Sequence, residues 1–208
     1  MGPLAFAADY VPEDEPLLAA RKCAADLGGT EPVSPAVGAV LRFLACAVGA
    51  RTVVEIGTGC GSSGIWLLRG MRSGATLTSV DTEPEYQRMA RKAFTQAGFA
   101  QNQCRLILGR ALDVLPRLSD GTYDMVFCDA DPRDYADYLT AALRLLRPGG
   151  IVAFTNALLA GPVSDDGGDE GNGDPSLDLA SQVRANDRLI PVLLPLGDGL
   201  LAAVKRGD

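Results

Sequence analysis

The chain contains no histidine. That absence removes the commonest general base at neutral pH, every Ser-His-Asp or Cys-His arrangement, and all imidazole metal ligation. Basic residues are outnumbered by acidic ones, 19 against 26, for a net charge of −7. Affinity for nucleic-acid backbone comes mostly from Lys and Arg, so no nucleic-acid partner is expected. No segment offers about 18 uninterrupted apolar residues, so no membrane span is expected either. Met1 to Tyr10 lacks the basic start and apolar run of a secretory signal, which points to the cytoplasm. The five cysteines form no C-x-x-C pair. Cys46, Cys104 and Cys128 lie in apolar runs, where a reduced, buried thiol acts as a small hydrophobe. What remains is chemistry on a small molecule by carboxylates, hydroxyls, amines, thiols or a cofactor.

The 208 residues, 47% hydrophobic and 22% charged, suffice for an ordinary core in one domain spanning 1–208. From Arg51 onward, short β-branched runs alternate with helical patterns, the signature of βαβ units. Strands are expected at Thr52 to Ile56, Thr76 to Val80, Arg105 to Leu108, Met125 to Cys128 and Ile151 to Phe154. Helices fall between them near Ser62 to Met71, Glu83 to Ala97, Ala111 to Leu118 and Tyr135 to Leu146. Thr82 with Glu85, and Pro84 in the first turn, reads as a capped helix start; Gly98 and Pro148-Gly149-Gly150 read as stops.

Two more helices, about Pro16 to Leu27 and Pro35 to Val48, occupy the lead of residues 1–50 and should cover a sheet edge or roof the site. Within the core of 51–208, Ser164 to Pro175 is rich in Gly and Asp and reads as a mobile loop. A helix near Leu177 to Asn186 follows. Strands Leu189 to Leu194 and Leu200 to Val204, joined through Asp198-Gly199, close the chain as a hairpin. The fold class is α/β: an open, Rossmann-like, seven-stranded, mostly parallel sheet with helices on both faces and an antiparallel strand near the C-terminus.

The first strand ends in Glu55-Ile56-Gly57-Thr58-Gly59-Cys60-Gly61, followed by Ser62-Ser63-Gly64. Glycines at a strand-to-helix turn let a ligand lie against bare backbone at the carboxyl edge of the sheet. Asp81, 20 residues after Gly61, stands where a carboxylate accepts the hydroxyls of an adenosine ribose. Gly59-x-Gly61-x-x-Gly64 also satisfies the dinucleotide fingerprint, so spacing leaves the nucleotide open. Glu55 favours one answer: a carboxylate two residues before the turn repels a pyrophosphate but suits the ammonium and sulfonium end of S-adenosylmethionine.

These residues resemble a family. Val-Val-Glu-Ile-Gly-Thr-Gly-x-Gly-x-Ser at 53–63, Asp129-Ala130-Asp131, Leu146-Arg-Pro-Gly-Gly150 and Leu194-Pro-Leu-Gly-Asp-Gly-Leu200 make the chain similar to the O-methyltransferases that include the catechol and caffeoyl-coenzyme A enzymes, above all to bacterial members. The resemblance runs from about Val33 to Lys205. It implies that Glu55 receives the ammonium of S-adenosylmethionine, that Gly57, Thr58 and Ser63 hold its backbone and carboxylate, and that Asp81 takes the ribose. Thr82 and Ala111 would flank the adenine, Val33 would line the donor pocket, and Asp129 would stand beside the reacting centre. A homodimer is also implied.

Two positions depart from the family pattern. Metal-dependent relatives hold magnesium with an Asp at position 129 and an Asp-Asn pair after the fifth strand, and a Lys takes the proton. Here the pair is Thr155-Asn156 and the Lys position is Pro132, with Arg133 beside it. A hard divalent cation wants several anionic oxygens, so no metal ligand is assigned and a divalent metal is doubtful. Asp129 or Asp131 is left to take the proton of a hydroxylated or phenolic acceptor, or to tie down its own loop. Two rival readings stand beside this one: a dinucleotide-dependent oxidoreductase, and a donor-binding relative without turnover. Trp66 reads as core, and the charges at Arg69, Arg72, Arg88, Arg91 and Lys92 as a solvated helix face.

Overall fold

The computed structural model describes residues 2, 6–7, 9–28, 31–158 and 175–207. Five strands run parallel: β1 (Thr52–Ile56), β2 (Thr76–Asp81), β3 (Cys104–Leu108), β4 (Tyr123–Cys128) and β5 (Leu146–Phe154). β6 (Leu189–Leu194) and β7 (Leu200–Lys205) pair antiparallel, and β7 is also antiparallel to β5. The sheet order is β3-β2-β1-β4-β5-β7-β6. The reversed β7 begins at the edge where the parallel strands end, pairing Leu201 with Phe154, so the 195–199 turn is delivered to that edge.

Alternation along the strands divides the core into two apolar layers. Val53, Met125 and Phe127 face the layer packed by α1 (Glu15–Leu27), α2 (Pro35–Ala47), α3 (Ser62–Gly70) and α4 (Pro84–Gln96). Val54, Ile56, Val126 and Cys128 face the layer packed by α5 (Ala111–Val114), α6 (Tyr135–Leu145) and α7 (Pro175–Ala185). Of the two places expected for the leading helices, the structure selects the roof: the sheet edges are β3 and β6, while α1 and α2 pack on α3 and α4. Trp66 is core, as expected.

Several local expectations are corrected. Cys46 is exposed, because it follows the buried Ala45 on α2 and so points about 100° away from it. Cys104 and Cys128 are buried. The Thr82–Glu85 cap does not form. Pro84 at the first helical position makes Glu83 the N-cap, its N–H goes to Asp81 Oδ1 at 2.9 Å, and Glu85 pairs with Arg88. The helix expected over 111–118 is α only to Val114 and continues as a 3-10 turn at Leu115–Arg117, where Pro116 can donate no bond. Pro148-Gly149-Gly150 is already strand, with a register shift against Tyr123 and Met125 taking up the irregularity. Arg69 is not simply solvated: it reaches Asp14 at 2.6 Å and ties α3 to the start of α1. The mobile loop expected at 164–175 lies outside the described residues except for Pro175, which opens α7.

One carboxylate holds the amino edge of the sheet. Asp124 Oδ2 accepts from the backbone N–H groups of Arg51 at 2.7 Å and Thr52 at 3.0 Å, and Oδ1 accepts from Arg147 Nε at 2.6 Å. β1, β4 and β5 thus share one anchor. Burial alone would push this carboxyl up, but the donors from Arg51, Arg147 and Thr52 outweigh it and hold the group below its ordinary value. Asp124→Asn is expected to destabilise the fold by about 2 kcal/mol in urea unfolding, since hydrogen bonds to a charged group are lost. Because the folded value is depressed, this contribution is full above the ordinary carboxylate pKa of about 4 and disappears as the pH falls through the lower folded value. The difference between wild type and Asp124→Asn should therefore shrink in acid.

Candidate active site

The site forms where the winding of the sheet reverses. β1 and β4 are neighbours, and the connection after β1 leads to β2 on one side while that after β4 leads to β5 on the other, so the two leave the carboxyl ends in opposite directions and open a crevice there. Gly57 lies at that end with φ +93°, and a Cβ would collide with the carbonyl oxygen of Asp129 at the end of β4. Asp129 N also donates to Ile56 O at 2.8 Å. Glycine is therefore required for close approach as well as for its dihedral. Gly61 (φ +93°) starts α3, against Ala90 and Phe94 of α4.

Beneath the turn runs a buried polar chain. Gln87 Nε2 donates to Thr58 Oγ1 at 3.2 Å, Thr58 Oγ1 and Ser79 Oγ are 2.7 Å apart, and Ser79 Oγ donates to Glu55 Oε2 at 2.5 Å. Glu55 is fully buried, and its other oxygen, Oε1, has no partner among the described residues. Burial is the main cause that pushes this carboxyl up to about 8; Ser79 and Ser63 pull it down, while the charges of Asp129 and Asp81 raise it. Burial thus favours the neutral form of Glu55, and its Oε1 is left without a partner among the described residues.

Above the turn lie adjoining hollows. One is lined by Ala24, Val33, Gly57, Thr58, Ser63 and Asp81. A second, about 420 Å3, extends past Asp81, Thr82, Ala111, Asp131 and Tyr138. A third, about 390 Å3, is bounded by Val33, Val37, Thr155, Asn156 and the 197–199 turn. Asp129 lines all three. Every residue assigned from the sequence to donor binding or proton transfer lines this cleft except Glu55, which is fully buried beneath it. Thr58 offers the cleft its backbone, since its hydroxyl belongs to the buried chain. Asp81 Oδ2 accepts from Thr58 N at 2.9 Å and Gly59 N at 3.0 Å, so this carboxylate also shapes the turn.

The two candidate bases differ. Asp129 accepts from Thr155 Oγ1 at 2.6 Å, and burial raises its carboxyl above the ordinary value against that bond. Asp131 is exposed and held down at about 2 by the side chain and backbone N–H of Arg133; it caps the 3-10 turn at Pro132–Asp134. A hard cation is poorly served: Asp129 offers one carboxylate, and Thr155 spends its proton on it. Among the described residues no group of three or more His, Cys, Asp or Glu is placed to hold a metal ion. The donor set does not fit magnesium, and no step is derived through a metal.

Sequence reasoning missed Ser79 and Gln87, which carry the polar chain, and Glu31 and Asp198, which add carboxylates to the third hollow. It also missed Cys23, whose sulfur meets Cys60. Position gave some signal for Ser79, a polar residue inside a strand buried on both faces; nothing local marked the others. Asn156, with φ +57°, takes the left-handed conformation that Asn tolerates, and turns the chain directly after β5.

Comparison with known proteins bears on this cleft. Residues 11–206 match a family model described as O-methyltransferase. A protein of Mycobacterium sp. (strain KMS) named as an O-methyltransferase is 48% identical over 97% of this chain and 91% of its own length. One from Mycobacterium tuberculosis (strain H37Rv), similarly named, is 47% identical over 97% and 89%. Among solved structures, the O-methyltransferase TomG of Streptomyces achromogenes in complex with SAM superposes with a TM-score of 0.86 at 30% identity, over 98% of this chain and 95% of that one. An O-methyltransferase of Bacillus cereus in complex with SAH gives 0.84 at 27% identity, over 98% and 96%.

Replacing Gly57 tests the contact that closes the cleft floor. Gly57→Ala is expected to cost about 3 kcal/mol or more, because a strained φ and a steric collision add. Thermal unfolding should show a large fall in Tm, whereas Gly59→Ala, with open space around its Cβ, keeps the strain but avoids the collision and should fall less.

Proposed function

The chain belongs to the O-methyltransferase family, and from that premise we propose how its cleft divides between donor and acceptor. It is an S-adenosylmethionine-dependent O-methyltransferase, which displaces the dinucleotide reading. The observation that carries the donor assignment is the unpartnered Oε1 of buried Glu55 under the glycine turn. Bound S-adenosylmethionine supplies an electrophilic methyl group on a sulfonium. Glu55 accepts the ammonium; Gly57, Thr58 and Ser63 hold the donor's backbone and carboxylate from the turn and the start of α3. Asp81 receives the ribose, Thr82 and Ala111 flank the adenine, and Val33 closes the roof.

The third hollow, about 390 Å3, takes the acceptor. Asp129 stands between the two halves and takes the acceptor's hydroxyl proton, its raised pKa making it a better base than an exposed carboxylate. Asp131 positions the loop. Much of the acceleration comes from aligning oxygen and methyl in a dry cleft. Glu31, Asp129 and Asp198 line the acceptor side, with no Lys or Arg among the described lining residues. A neutral or cationic hydroxylated acceptor suits that field, and a polyanionic coenzyme A thioester does not.

We place the protein in the cytoplasm, as one domain. No helix among the described residues is long and apolar enough to cross a membrane. A homodimer is supported by exposed apolar side chains at Ile190, Val192 and Leu193 on edge strand β6.

Two measurements test the reading. With the neutral form of Glu55 favoured in the empty site, binding the ammonium must release its proton. Affinity for S-adenosylhomocysteine should therefore rise with pH, by up to about tenfold per unit, and level off above about 8. Glu55→Gln should flatten that profile and weaken binding roughly tenfold or more in isothermal titration. NADH binding without any response to S-adenosylhomocysteine would sink the donor assignment. In methylation assays, uncharged and aminated phenols should outrun their coenzyme A thioesters, and Asp198→Lys should narrow the gap.

A further inference from the structure

Cys23 and Cys60 are remote in sequence, yet the fold sets their sulfurs 3.4 Å apart. Cys23 is half-buried on α1, one residue before Ala24, which lines the donor hollow. Cys60 is buried at the tip of the glycine turn and lines the same hollow. The Cys23 thiol itself points away from that hollow, into a neighbouring one, where it meets the sulfur of Cys60. A bonded pair needs about 2.0 Å between sulfurs, a modest closure for a turn whose neighbours, Gly59 and Gly61, both adopt positive φ.

A separate hollow of about 300 Å3 opens on the pair from the outer side. It is lined by both cysteines together with Lys22, Lys92, Met89 and Asp26. It gives a small molecule access to the sulfurs without passing through the donor site, and the two lysines favour one that bears carboxylates.

We propose that Cys23 and Cys60 are a disulfide-forming site, oxidised by a low-molecular-weight, carboxylate-bearing disulfide, and that the bond staples the roof of the donor pocket to its floor. The bond itself stands on the thiol geometry, while its effect on turnover rests on the donor assignment above. The Cys23 thiolate attacks one sulfur of the small disulfide, whose S–S bond breaks and releases one small thiolate. Cys60 then loses its proton to solvent and attacks the Cys23 sulfur; the protein S–S bond forms and the second small thiolate leaves. Two protein thiols are oxidised by two electrons, and one small disulfide is reduced to two thiols.

The order of attack follows from the surroundings. Cys60 donates its S–H toward the Cys23 sulfur, and burial, followed by that bond, pushes its thiol up to about 12. The buried partner therefore stays a thiol until a mixed disulfide is formed beside it. With the bond made, α1 can no longer lift from the turn, and exchange of donor for demethylated product slows.

The test uses the full chain, reduced and then treated with oxidised glutathione. Two of the five thiols should be lost, and peptide mapping should find residues 23 and 60 in one cross-linked species. Methyl transfer and the release of S-adenosylhomocysteine should slow about tenfold and recover on reduction with dithiothreitol. Cys23→Ser should keep the reduced activity and lose the response, while Cys46→Ser should keep both. Glutathione remaining on Cys23, or a bond through exposed Cys46 between chains, would overturn the proposal, as would a Cys23–Cys60 bond that leaves exchange unchanged. If the bond forms but the reduced chain binds no S-adenosylhomocysteine, the donor assignment fails and takes the stapling claim with it, leaving only the disulfide site.

Discussion

The carboxyl ends of β1 and β4 approach so closely that only a residue without a Cβ fits between them. Gly57 against the Asp129 carbonyl sets the distance from the glycine turn to the end of β4. It also fixes where α3 begins and how deep Glu55 lies. Asp124 performs the complementary task at the opposite edge, binding the starts of β1 and β5 to β4 through backbone and guanidinium donors. Between these two points the central strands have little freedom to slide, and the cleft inherits their rigidity.

Electrostatics in the cleft is organised by burial rather than by paired charges. Glu55, Asp129 and Asp81 lie close enough for their charges to oppose one another, and among the described residues no cation is set between them. The fold accommodates this by favouring the neutral form of Glu55 and by giving Asp129 a hydroxyl donor from Thr155. That hydroxyl gives Asp129 a neutral donor where a second carboxylate would have added to the repulsion. Asp131, by contrast, is spent on Arg133 and the shape of its loop.

Much of this was legible in the sequence because the central strands are buried on both faces and β1, β4 and β5 announce themselves as apolar runs bounded by glycine or turn residues. The strand positions, the reversal at the end and the glycine turn followed from that pattern. Legibility failed where a neighbour distant in sequence decides the outcome. Glu55 reads as a residue at the end of a strand, and only the fold shows it beneath the floor, reached through Ser79, Thr58 and Gln87 from three further elements. Cys46 sits in an apolar run but on the outer face of its helix. Thr82 looks like a cap, yet Pro84 shifts the helix start and makes Glu83 the N-cap, its N–H accepted by Asp81.

The reversed direction of β7 has an evolutionary reach. A parallel strand would carry its preceding loop to the far edge of the sheet; β7 instead brings the tip of a hairpin, Gly197 to Gly199, to the hollow bounded by Val33, Val37, Thr155 and Asn156. Hairpin tips tolerate insertion and exchange without disturbing any crossover helix. With the cleft divided as we propose, acceptor preference can drift by edits at one local bend, while the half built from crossovers and buried polar links stays as it is.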